Sequence, residues 1–106
     1  MKVLLDENLP HALRHEIAGH EVFTVQFMGW SGVQNGVLLA KAVGNGFQAF
    51  VTMDNGVPYQ QNMAVLELCV IVISAASNDM SDLRPLVPAL THALDNPGQR
   101  KVITIA

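Results

Sequence analysis

Charge is what this chain has least of. Charged residues make up 14% of its 106 residues, with six Lys and Arg against nine Asp and Glu, a formal net charge of −3. A broad basic face for nucleic acid is thereby excluded, so any contact with a polyanion has to be local. A single cysteine, Cys69, excludes an internal disulfide and fits a reducing compartment such as the cytoplasm. No basic segment followed by an apolar core opens the chain, so no secretory signal is expected. The longest apolar run, Leu68–Ile73, is far too short to cross a bilayer, and no membrane partner is expected. What is plentiful is apolar surface. Hydrophobic residues make up 50% of the chain, enough for one domain over 1–106 to bury a core without disulfide or metal staples.

The apolar residues fall in short runs separated by turn formers. Val3-Leu4-Leu5, His20–Val25, Phe47–Thr52, Cys69–Ile73 and Val102–Ile105 read as five strands, the fourth apolar throughout and therefore central. Helical signals alternate with them. Pro10 suits a first turn with Asn8 as N-cap, Leu13 and Ile17 share a face, and Gly19 ends the segment. Val33–Val43 carries Val37, Leu38 and Ala42 at helical spacing before Gly44-Asn45-Gly46. A short helix is expected around Gln61–Leu66. Another, capped by Ser81 or Asp82, is expected to run through Leu94 with a kink at Pro88. This alternation predicts a three-layer α/β/α domain with a mainly parallel, about five-stranded sheet.

Two of the strand runs finish in acids, Asp6-Glu7 and Asp54. A parallel sheet brings such residues to one edge, where ligands gather, and paired carboxylates there suit a hard cation such as Mg2+. Asp6, Asp54 and Glu7 are the candidate metal ligands, with Asn35 offering a neutral oxygen, because no acid lies between Glu21 and Asp54. Each also has a plainer reading: Asp6 as a helix cap, Glu7 as a solvated charge, Asp54 in an Asx turn with Asn55-Gly56, and Asn35 as a cap. His11 and His15 share a helix face, but no third ligand is fixed nearby, so they read as solvated.

Further signals run in order through nearly the whole chain. They are Leu4-Leu5-Asp6-Glu7-Asn8-Leu9-Pro10, Gly19-His20-Glu21-Val22, Gly29-Trp30-x-Gly32, Asn35-Gly36-x-Leu38-Leu39, Thr52-x-Asp54, Gln60-Gln61-Asn62, Ser77-Asn78 and Asp82–Pro88. Together they make the chain resemble the small PIN-like proteins related to VapC-type toxins. The resemblance implies an endoribonuclease dependent on Mg2+ or Mn2+, the toxin half of a toxin–antitoxin pair, acting on single-stranded or structured RNA. It implies catalytic and metal-binding roles for Asp6 and Asp54, and RNA contacts from Gln60, Gln61, Asn62 and Asn78. Where PIN nucleases carry an acid near the start of the second helix, this chain has Gln34-Asn35-Gly36. Asn35 then stands in for a catalytic carboxylate, and weak activity, or an inactive PIN-like binding module, is expected. Asp6-Glu7, Asp54 and Ser74 are also similar to the phosphoacceptor pattern of receiver domains, although Lys101 precedes the fifth strand instead of following it. The helix from Asp82 carries Leu83, Leu86, Val87 and Leu90, a stripe wide enough for both core and a homodimer or antitoxin interface.

Overall fold

The computed structural model describes residues 1–106. Strands β1 (Lys2–Leu5), β2 (Glu21–Thr24), β3 (Ala49–Thr52), β4 (Cys69–Ile73) and β5 (Val102–Ile105) form one sheet in the order β2-β1-β3-β4-β5. Every pairing is parallel, with Leu5 opposite Thr24 and Val51, and Ile71 opposite Val51 and Ile103. Successive strand residues point to opposite faces. Val3, Leu5, Ala49, Val51, Ile71 and Ile103 therefore build one core layer, while Leu4, Phe50, Val70 and Val72 build the other. Burial on both faces is what demands continuous apolar runs in place of alternating ones.

The first face is covered by a 3-10 helix at His11–Glu16, by α3 (Met80–Leu83) and by α4 (Val87–Asp95), through Leu13, Leu83, Leu90, Ala93 and Leu94. The second is covered by α1 (Asn35–Gly44), through Leu38, Leu39 and Ala42, and by Val57 of the four-residue α2 (Val57–Gln60). The three-layer α/β/α arrangement is thus present. Because α2 is so short, the second face of β5 lies bare: Val102 is 38% exposed and Thr104 is exposed beside it. No helix is long and apolar enough to cross a membrane.

Several local expectations are corrected. Asn8 caps no helix, since the 3-10 helix follows Pro10 without a side-chain cap and the Asn8 amide bonds the end of β3 instead. The helix expected around Gln61–Leu66 lies at Val57–Gln60, because Pro58 fits a first turn and the Asp54 carboxylate accepts the Gly56 N–H just ahead of it. The helix expected from Ser81 or Asp82 starts at Met80 and breaks into 3-10 geometry at Arg84–Leu86. The break falls at Pro85, which has no N–H to give, while Pro88 occupies a tolerated place in the first turn of α4. Its apolar stripe is spent on the core: Leu83 and Leu90 are buried, and half-buried Leu86 and Val87 pack against them.

Candidate functional site

The chain leaves β1 toward β2 on one side, and β3, β4 and β5 extend on the other, so the sheet's topological switch lies between β1 and β3. Crevices at the carboxyl ends of such strands are the general ligand position of open α/β sheets. Asp6 is the first residue past β1. Its N–H donates to the Val51 carbonyl at 2.9 Å, which prolongs the β1–β3 ladder and fixes the carboxylate at the edge. Only 7% exposed, that carboxylate accepts the Thr52 hydroxyl at 2.7 Å on Oδ2 and the Glu7 N–H at 2.8 Å on Oδ1.

Thr52 closes β3 and is fully buried. Its Oγ1 also accepts the Asn8 Nδ2–H at 3.2 Å and the Asp54 N–H at 3.0 Å. A hydroxyl offers one donor and two acceptor positions, so all three are used and the proton is committed to Asp6. Asn8 ties the loops together. Its Oδ1 accepts the Met53 N–H at 3.3 Å, and its carbonyl accepts Asn78 Nδ2–H at 3.2 Å.

Asp6 titrates above the ordinary carboxylate value. Burial is the largest cause. The Thr52 and Glu7 hydrogen bonds pull it back down, and the negative charges of Glu7 and Asp54 push it up. The charge of one strand-end acid is thus felt at the other. Asp54 is half-buried, with Oδ1 accepting the Gly56 N–H at 2.9 Å. A carboxylate has about four lone-pair positions, so Asp6 keeps about half of its accepting capacity after these two bonds.

The donors are all hard oxygens, and Mg2+ is commonly held by one or two carboxylates with water completing its octahedron. Asp6 and Asp54 follow the ends of the paired strands β1 and β3 and offer two such carboxylates, too few for a second ion. Glu7 turns away, both of its carboxylate oxygens lying 3.3 Å from the Gly32 N. No three His, Cys, Asp or Glu side chains are grouped closely enough to hold a metal by themselves.

Amides line the edge beside Asp54. Asn35 opens α1 without capping it, and its Nδ2 lies 3.5 Å from Gln60 Oε1. Gln60 in turn borders Asp54, because a Cβ on Gly56 would stand 3.1 Å from both Asp54 Oδ1 and Gln60 Nε2. Gln61 lies over Gly36, at 3.5 Å from the Cβ that glycine lacks. Asn35 and Gln60 therefore meet beside Asp54, while Gln61 lies against Gly36, next to Asn35. Asn62 makes no side-chain hydrogen bond to these amides and Asn78 Nδ2 donates to the Asn8 carbonyl instead, so neither joins that group.

Sequence reasoning gave Thr52 and Asn8 no role in the site. A hydroxyl ending an apolar strand two places before an acid was the available signal for Thr52. Of the histidines, His11 sits at the same carboxyl edge, its Nδ1 3.2 Å from Oγ1 of Thr24 at the end of β2 with the His15 ring edge-on beside it, whereas His20 pairs with Asp95 at 2.7 Å by the opposite end of the sheet. Compared with known proteins, the chain matches no family model, no curated protein and no solved structure.

Proposed function

We propose that this chain is a PIN-like domain that holds one Mg2+ or Mn2+ between Asp6 and Asp54 and slowly hydrolyses RNA phosphodiester bonds. One observation carries the reading: at the switch point of a parallel sheet, a carboxylate only 7% exposed is burdened first by desolvation and, more weakly, by the charges of Glu7 and of the second strand-end acid Asp54. A divalent cation relieves both burdens at once. Bound there, the ion would polarise a phosphoryl oxygen and lower the pKa of its water. The chain's own residues orient and recognise. Thr52 fixes the Asp6 carboxylate and the Gly56 N–H fixes Asp54. The amides of Asn35, Gln60 and Gln61 are placed to hydrogen-bond a phosphodiester without adding negative charge. Amides in place of a third carboxylate support one ion instead of two, and hence a slow reaction.

The toxin role belongs to the same proposal, with an antitoxin or a second copy of the chain as partner. Exposed Phe27, Val37 and Val65 are among the apolar side chains open to it. Labelled single-stranded and hairpin RNA incubated with the protein and Mn2+ tests the activity. Cleavage should disappear with chelator and in a folded Asp54→Asn variant. Equal cleavage by wild type and variant would reject the assignment.

The strand order supports one second reading. Doubly wound sheets of this order include receiver domains, and Asp6-Glu7, Asp54 and Ser74 follow β1, β3 and β4. Lys101 counts against it, lying before β5 with its Nζ donating to the Leu66 carbonyl. Rapid phosphorylation of Asp54 by acetyl phosphate would favour the receiver reading over the nuclease.

A further inference from the structure

A cleft of about 450 Å³ opens one residue beyond Asp54, on the sheet face that the short α2 leaves uncovered. Asn55 and Tyr59 form one wall, Val72 and Ser74 of the β4 end another, and Val102 and Thr104 of β5 a third. We propose that this cleft receives one unstacked nucleobase of a single-stranded nucleic acid, with Tyr59 as its stacking surface. The proposal rests on reading the adjoining edge as a phosphodiester site, and it names how the substrate is gripped there.

Several observations converge on a base. Tyr59 is 91% exposed, the most exposed large apolar side chain of the chain. Phe23, Phe27, Phe47 and Trp30 pack against one another, whereas Tyr59 has no aromatic partner and offers its ring to a ligand. Val72 and Val102 give the cleft apolar walls for a flat ring. Asn55, Ser74 and Thr104 add both donors and acceptors at its margin, and none of these side chains is engaged in a hydrogen bond within the fold. No charged residue lines the cleft, so it suits a neutral base and not a phosphate. Its size falls within the roughly 300–1,000 Å³ of small-ligand sites. With only six Lys and Arg in the chain, the grip on substrate has to come from stacking and base-edge hydrogen bonds more than from phosphate contacts.

Tyr59 is the only tyrosine, so its ring resonances in an NMR spectrum report this cleft alone. The test is a titration of the full chain with adenosine, an uncharged nucleoside, in the absence of divalent cations. The Tyr59 ring protons and the Asn55 and Ser74 amides should shift together, with an affinity nearly independent of salt. Tyr59→Phe should bind within about twofold of wild type, and Tyr59→Ala about tenfold or more weaker, followed through the two amides. Because no cation is present, failure of the Asp6–Asp54 ion site would leave this result standing. Absence of any shift at millimolar adenosine, or unaltered binding by Tyr59→Ala, would overturn the proposal. So would a Tyr59 shift that tracks protein concentration without nucleoside, since a second copy of the chain would then occupy the cleft.

Discussion

Replacing Thr52 by Val removes one hydroxyl and keeps the shape of a fully buried side chain. Three groups lose a partner at once: the Asp6 carboxylate, the Asn8 amide and the Asp54 N–H. The last two lie in part-buried surroundings and can turn to water, so the cost concentrates on Asp6, which is 7% exposed. A hydrogen bond to a charged group contributes about 1.5–3 kcal/mol. In a domain near this size that corresponds to a fall in Tm of roughly 6–12 °C. Thr52→Ser keeps the hydroxyl and gives up one methyl, a loss of about 1 kcal/mol. The Thr52 bond also lowers the Asp6 pKa, so Thr52→Val should raise that pKa further while Thr52→Ser should not. Thermal unfolding by circular dichroism and titration of the Asp6 carboxyl carbon by NMR measure the two effects. A Val variant as stable as wild type, or a Ser variant as damaged as Val, would refute the account of Thr52 as the residue that holds Asp6.

The raised Asp6 pKa fixes the sign of a pH effect. Folded Asp6 keeps its proton to higher pH than the ordinary value of 3.8, so the folded state binds more protons within that window and stability falls as pH rises through it. Urea midpoints of wild type minus Asp6→Asn, measured from pH 4 to 7, should therefore decline with pH, and the decline should shrink with saturating Mg2+; a flat difference would show that Asp6 is not strained by ionisation. Sedimentation at micromolar concentration should show a dimer, or a complex when a cognate antitoxin is added, and a clean monomer under both conditions would remove the partner proposal.

The sheet was legible because parallel strands buried on both faces have to be written as unbroken apolar runs. Cys69–Ile73 is β4 to the residue. The two strand-end acids were legible for a related reason, since parallel topology sends both to one edge. The arrangement around them was not, because it is made by partners far apart in the chain. Asn8 satisfies every local rule for a cap, and only the approach of β3 turns its amide to Thr52 and Met53. Glu7 looks like a ligand beside Asp6 until the Gly32 N–H, distant in sequence, takes its carboxylate. The bare face of β5 follows from the length of α2, which depends on whether Pro58 opens a helix or ends a turn. Sequence permits both, and Val57, fully buried against the second core layer, decides for the helix.

The central claim is that Asp6 and Asp54 together hold one divalent ion at the β1–β3 switch point. Titration of 15N-labelled protein with Mn2+ tests it directly, because the paramagnetic ion broadens the amides nearest to it. One saturable site should erase the signals of Glu7, Thr52 and Asp54 first, and both Asp6→Asn and Asp54→Asn should abolish the effect while preserving the rest of the spectrum. Broadening centred elsewhere, or unchanged in either variant, would contradict it.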